Sequence, residues 1–372
     1  MRYAIIALVI IMRKKLLILL MTILLMGCQK QDELTQYKET TFQAGFDTVF
    51  TLIAYTEDQR EFDEYFKIMK DTTYHYHQLF DKYHNYEGIN NIKTINDNAG
   101  IAPVIVDQEI IDLLILAQEY YERTDGYFDI TIGSVLKLWH DCREQSNTNG
   151  YGCVPTFDEL TDADQHTGWD LILIDDQENT VYITDSKASI DVGGIAKGYT
   201  VEKVALTLEE KGLRYGAIDG GGNIRTINSK PSDQPFTVGI TNPDQRGGAS
   251  VDILKFHQTY AFVTSGDYER YYLDKNGNKY HHIIDPFTLY PSDSARSLTI
   301  VYPDSGIADI LSTACYIMDY QTAVAFIEKF DDDQLSAIWL YDEDDHPNVN
   351  EGFKINGYFQ IIHGNVITTN SE

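Results

Sequence analysis

Asp309 and Thr313 stand four residues apart in "ADILSTA" (308–314), which puts a carboxylate and a hydroxyl on one helical face with Ser312 beside them. Hard oxygens of this kind suit a Mg²⁺ ion that keeps part of its water shell and binds a substrate's phosphates. A helix-capping aspartate has the same signature. A second cluster, "DVGGIAKGYT" (191–200), gathers Asp191, Gly193, Gly194, Lys197 and Gly198 on one turn before a helical run. Glycines there admit a ligand to the main chain and leave carbonyls free for a cation. The order fits neither a Walker loop, since Lys197 precedes Gly198, nor a GxGxxG fingerprint. A strand-to-helix turn that only packs tightly has the same composition. Asp219-Gly220-Gly221-Gly222-Asn223 follows at the end of a strand and reads as a close backbone approach or as a hairpin tip. In "YHHIIDPFTLYP" (280–291), His282 lies three residues before Asp285, as a base tuned by a carboxylate or as a satisfied turn residue.

The elements that position these residues follow from periodicity. Phe46–Tyr55 alternates as a first strand. Ile110, Leu113, Leu114, Ala117 and Tyr121 mark an amphipathic helix that ends near Gly126. Short strands at Leu171–Ile174 and Val181–Thr184 lead into the 191–200 turn, and a helix over 199–211 stops at Gly212. Strands are predicted at Gly216–Asp219, Phe236–Ile240, Ala261–Thr264, Leu298–Tyr302 and Ala337–Tyr341, with helices around Ala308–Met318 and Gln321–Phe330. This interleaving predicts an α/β or mixed α+β body of mixed sheets with flanking helices and no clear internal boundary. His75 and His77 read as an exposed pair in a tyrosine-rich helix.

The N-terminus reads as an export signal. Arg13-Lys14-Lys15 precedes the apolar run Leu16–Met26, which closes on Gly27-Cys28. Those charges keep any apolar stretch below the roughly 20 residues that span a bilayer. Cys28 stands where a lipobox places its lipidated thiol, predicting a signal peptide over 1–27 and a polar tether over 28–41. Cleavage would remove four basic residues and no acid, leaving 345 residues with net charge −32 against −28 for the whole chain. Such a surface repels nucleic acid, so a bound phosphate needs a local solution: a metal, main-chain N–H groups or a placed lysine. Cys142 and Cys153 flank a polar loop (Arg143–Gly152) that a disulfide could close outside the cell, and Cys315 lies in an apolar helix.

Taken in order, "DVGGIAKGY", "GGGNI", "TSGDYERYY" (264–272), "HHIIDP" and "ADILSTA" closely resemble the FAD:protein FMN transferase (ApbE) family. So do "FDTVFTL" (46–52), "FDKYHNYEGINNIKTIN" (80–96) and "GYFDITIGSVLKLW" (126–139), over nearly all of the mature chain. The resemblance implies a membrane-anchored, extracytoplasmic lipoprotein with one transferase domain over 42–366 and a tail at 367–372. It would use FAD as substrate with Mg²⁺, transferring FMN to a Thr or Ser hydroxyl of an acceptor flavoprotein with a Ser/Thr-Gly-Ala-Thr motif, and releasing AMP. On this resemblance Gly194 (by its carbonyl), Asp309 and Thr313 hold the metal. Phe46, Tyr83, Tyr127, Phe128, Asp129, Asp191, Lys197 and Ile284 form the FAD site, and His282, Asp285 and Lys197 carry the chemistry. Phe46 stands where the family often has methionine. Thr288-Leu289 replaces the family's common Thr-Gly, which leaves the shape of that turn open. A Mg²⁺-dependent FAD pyrophosphatase would use the same ligands, and a non-catalytic flavin-binding lipoprotein is the alternative outside enzymes.

Overall fold

In the computed structural model the described residues are 34–243, 250–330 and 334–341, with the short strands 353–354, 358–361 and 367–368. The signal, Cys28 and the first part of the tether lie outside them. Among the described residues the centre is a nine-stranded sheet in the order β1 (Thr35–Thr41), β2 (Phe50–Thr56), β6 (Gly216–Gly220), β7 (Asn223–Ile227), β10 (Ala261–Gly266), β13 (Ser297–Tyr302), β14 (Ser336–Leu340), β16 (Tyr358–Ile361), β15 (Phe353–Lys354). From β2 to β15 each neighbouring pair is antiparallel, which places the fold on the α+β side of the expectation. Three smaller sheets accompany it: β3 (Val104–Ile105), β5 (Thr180–Ile183) and β4 (Ile172–Asp175); β11 (Tyr271–Leu273) with β12 (Lys279–His281); and β17 (Ile367–Thr368), β9 (Asp252–Phe256) and β8 (Phe236–Ile240).

The helices are α1 (Gln59–Phe80), α2 (Ile92–Asp97), α3 (Gln108–Arg123), α4 (Gly133–Asn149), α5 (Phe157–Asp164), α6 (Ala196–Glu210), α7 (Ser305–Ile317) and α8 (Tyr320–Lys329). Short polar side chains start several of them. Asp58, Asp304 and Asp319 each accept from the third N–H of the helix they open, and Asn91 and Thr156 form capping boxes.

Burial on both faces accounts for the consecutive apolar residues Ala261–Val263 in β10 and Ile300–Tyr302 in β13. On one face Val263, Leu298 and Ile300 share a core with Ala308, Leu311 and Cys315 of α7. On the other, Phe262 and Val301 pack with Leu254 and Phe256 of β9. Nearer the edge, Phe50 and Leu52 bury against Phe62 and Met69 of α1 and against Val201, Val204 and Leu208 of α6.

Several expectations need correction. Thr35–Thr41 is an edge strand beside β2 and not tether; its Thr and Tyr content favours an extended chain, and Thr40 bonds Thr51 at 3.0 Å. At the other end Ile367–Thr368, expected as tail, pairs with β9. The first strand begins at Phe50, because Phe46 and Asp47 adopt left-handed φ values of 58° and 48°. Residues 143–149 are helical: α4 runs to Asn149 and stops at Gly150 (φ 78°). The Cys142–Cys153 disulfide, which the sequence left open, is present and ties the middle of that helix to the segment after it. Cys315 is buried.

Candidate active site

A cleft of about 560 Å³ opens where the start of α6, the middle of α7, the β6–β7 turn and the segments around Phe46, Tyr83 and His282 converge. Every residue expected to hold flavin, metal or a proton lines it, except Asp285.

The floor is the crossing of α6 and α7. A Cβ at Gly198 would overlap the Ser305 carbonyl oxygen and Asp309 Cβ, so glycine is what lets the helices approach. The approach brings Asp309, 5 % exposed, onto the first turn of α6, where its Oδ2 accepts from the Gly198 N–H at 2.8 Å. Asp309 is thus a cap, but of the neighbouring helix and not of its own, which Asp304 starts. Burial raises the Asp309 carboxyl above its ordinary range, more than Lys197, the Gly198 N–H and Asn223 lower it. The protein's own groups thus leave this carboxylate under-neutralised. One turn on, Thr313 lies against Gly194, where a Cβ would stand 3.4 Å from its Oγ1. Ser312 turns away, bonding Ser265 at 2.9 Å.

One carboxylate, one hydroxyl and the Gly194 main chain form an oxygen set that fits a hard dication completing its shell from water and phosphate. Among the described residues no group of three or more His, Cys, Asp or Glu side chains forms a metal cluster.

Lys197 donates to Asn223 Oδ1 at 2.9 Å, which joins the first glycine turn to the second. The second is a two-residue hairpin turn with Gly221 and Gly222 at φ 65° and 94°, so the hairpin reading holds, and both glycines also line the cleft. Main-chain N–H groups were one of the solutions open to a bound phosphate, and at the start of α6 three of them are already committed. α6 starts at Ala196, whose N–H donates to Val192 O; Gly198 donates to Asp309 and Tyr199 to Ile195 O. Two of these donors are used within the turn and the third is used by α7.

On the opposite side, Asp191 forms an ion pair with Lys82 and accepts from the Gly193 N–H at 2.9 Å. Against the burial that raises its carboxyl, the Lys82 charge holds Asp191 below the usual carboxylate range. Lys82 also lies over the Tyr83 ring at 4.9 Å, and Tyr83 packs on His140 with centroids 5.3 Å apart. Asp129 accepts from Thr131 N at 2.7 Å, and its carboxyl is raised by burial. Phe128 and Ile284 are buried beneath the wall, and Tyr127 meets Phe287 edge-on at 4.8 Å.

His282 hydrogen-bonds the Arg270 carbonyl through Nδ1 at 3.2 Å, so Nδ1 carries the hydrogen and Nε2 is the bare nitrogen. Its ring is reached by solvent through the cleft. Crowding by protein, with Arg270, His281 and Lys197 nearby, holds its pKa down to about 3. Asp285 is not its partner. Both Asp285 oxygens are spent on the turn that follows, on Phe287 N at 2.8 Å and Thr288 Oγ1 at 3.1 Å. The turn keeps a glycine-like shape without glycine: Leu289 takes φ 65° while its side chain is buried with Val135 and Trp139.

This arrangement is matched by known sequences. A sequence profile of the ApbE family aligns with residues 46–339. The chain belongs to the ApbE family. Among curated relatives, the FAD:protein FMN transferase of Treponema pallidum (strain Nichols) is 30% identical over 253 residues, 64% of this chain and 68% of that protein. The FAD:protein FMN transferase of Haemophilus influenzae is 26% identical over 317 residues, 83% of this chain and 88% of that one. The crystal structure of the ApbE protein of Thermotoga maritima superposes with TM-score 0.72 at 29% identity, covering 82% of this chain and 94% of that one. The flavin transferase ApbE of Vibrio cholerae shares the fold, with TM-score 0.67 at 22% identity, covering 88% and 97%.

Within this family site, sequence reasoning missed Lys82, Asn223 and His77. Lys82 was legible only as a basic residue beside Tyr83 in an acidic chain. Asn223 was visible in its glycine motif but without a role. His77, expected on an exposed face, is half-buried and lines the cleft.

Proposed function

We propose that this chain transfers the FMN part of FAD to a Thr or Ser hydroxyl of an acceptor flavoprotein and releases AMP. The observation that carries the reading is the meeting, in one cleft, of the Asp309–Thr313–Gly194 oxygens, the Lys197 ammonium and the bare Nε2 of His282. The acceptor oxygen forms a bond to the FMN phosphorus while the bond from that phosphorus to the bridging oxygen breaks. AMP departs with the bridging oxygen. His282 takes the hydroxyl proton, its bare imidazole nitrogen being the free base in the cleft. Lys197 sets a positive charge beside the pyrophosphate, and Tyr83 and Tyr127 offer ring faces to the flavin or adenine. Asp309, Thr313 and the Gly194 carbonyl would hold Mg²⁺, which supplies charge neutralisation on the pyrophosphate oxygens.

The acceptor segment is of the Ser/Thr-Gly-Ala-Thr type. The chain is anchored through lipid on Cys28 to the outer side of the cell membrane. The apolar run ending at Gly27-Cys28 supports this, as does the Cys142–Cys153 disulfide, a bond that persists in oxidising compartments. The activity test incubates the protein with FAD, Mg²⁺ and an acceptor carrying that motif. Flavin fluorescence retained on the denatured acceptor is the expected result. Free FMN and AMP alone would make the chain a pyrophosphatase, and unconsumed FAD would make it a binding protein. For the anchor, Cys28→Ser is expected to move the protein from the membrane to the soluble fraction.

A further inference from the structure

We infer that His77 is a positioning residue: its neutral imidazole clamps the Phe46–Asp47 step that forms one wall of the cleft, and protonation of the ring releases that wall. The inference rests on the proposed function for its occupant, FAD.

The wall is under conformational tension. Phe46 and Asp47 are consecutive non-glycine residues at φ 58° and 48°, a region that L-residues with side chains seldom occupy. Such a step persists only where its surroundings hold it. Phe46 packs on Phe50 and the flanking cores, and one side chain of α1 holds its backbone. The Phe46 N–H donates to His77 Nδ1 at 3.1 Å, and the two rings meet edge-on at 5.4 Å. Gly45 (φ 100°) passes so close that a Cβ there would overlap the imidazole. Phe46, Asp47 and Thr48 line the cleft, and Thr48 packs against Gly221 in the turn that precedes Asn223. Movement of the wall therefore reaches the partner of Lys197.

Hydrogen-bond bookkeeping assigns the ring's proton. The Tyr86 hydroxyl donates to Asp81 Oδ2 at 2.8 Å, so its oxygen is left to accept from His77 Nε2 at 3.2 Å. The hydrogen is then on Nε2, and Nδ1 is the bare acceptor that Phe46 needs. A second proton would go to Nδ1 and face the Phe46 N–H, donor against donor. The groups around the ring are Asp81 and Tyr74 from α1 and its end, Asp47 from the wall, and His84 and Tyr86 from the following loop. Burial lowers the His77 pKa beyond what Asp81 and Asp47 restore, so the clamp is intact at neutral pH and fails in acid.

The test is a fluorescence titration of the full chain with FAD in EDTA, where metal-dependent turnover does not consume the ligand, between pH 5 and 8. Wild type is expected to lose affinity as the pH falls into the acid range, by about tenfold once the ring is protonated. His77→Phe keeps the ring packing and removes both nitrogens. It is expected to bind about tenfold more weakly at pH 7.5 and to show no pH dependence. His77→Asn keeps an acceptor near Phe46 and is expected to fall between the two. A wild-type affinity that is flat across this range, with His77→Phe binding as tightly as wild type at pH 7.5, overturns the role. So does His77→Phe binding with the wild-type affinity and profile. Wild type that binds no FAD at any pH overturns this role, and only if it also consumes no FAD with Mg²⁺ does the proposed function fall with it.

Discussion

The two walls of the cleft are built by different physics. The α6–α7 floor is held by backbone against backbone, with Gly198 under the Ser305 carbonyl and the Asp309 carboxylate capping a helix it does not belong to. The facing wall, from Phe46 to Tyr86, is held by a relay of side chains: Phe46 N–H to His77, His77 to Tyr86, Tyr86 to Asp81, with Lys82 paired to Asp191 beside it. A contact between main chains leaves no room for adjustment. A relay of polar side chains can lose one link and relax. The floor should therefore be all-or-none and the wall tunable.

The harshest way to break this comparison is Asp309→Asn. The amide oxygen can still accept from Gly198, so the melting temperature should hold, while metal-dependent FAD turnover should fall by at least about a hundredfold. Loss of the fold instead would show that the carboxylate is structural. Gly198→Ala comes next: overlap with the Ser305 carbonyl should cost about 1–3 kcal/mol, read in chemical denaturation, with turnover falling as α7 is displaced. An alanine variant of wild-type stability and turnover would mean that the floor is as compliant as the wall. The smallest effect is expected on the wall itself. Lys82→Met leaves the Asp191 carboxylate buried without its cation, so the melting temperature should drop, most at neutral pH. The sign follows from Asp191, whose pKa the pairing lowers: the stabilisation is present above the unfolded value of 3.8 and lost as pH falls through the folded one. Adding Asp191→Asn should restore most of the loss, and a double variant no better than Lys82→Met would remove the pairing as the cause.

Legibility divided along the same line. The helices around Asp309 and Lys197 were readable because apolar spacing reports burial, and β8 was predicted at its observed bounds, Phe236–Ile240. Gly194, Asp309 and Thr313 were nominated from short motifs, and they converge because those motifs sit at ends and crossings of regular elements. Asp285 misled: His-x-x-Asp looks the same whether the aspartate serves the histidine or its own turn, and only the bonds to Phe287 and Thr288 decide it. His77 misled in the opposite direction, because its hydrogen-bond partners Phe46 and Tyr86 lie 31 and 9 residues away, outside any local pattern.

By itself the sequence determined the family, the order of most elements, the acidic surface and the residue types available for chemistry, since local propensity and motif order are properties of the chain. Only the tertiary structure decided which groups are free to act. Asp309 serves α6 as well as the cleft, the Ala196, Gly198 and Tyr199 N–H groups are already used, Asp191 is paired, and His282 keeps a bare nitrogen. These outcomes depend on hydrogen-bond partners brought together across the fold, where each donor and acceptor is committed by what packs against it.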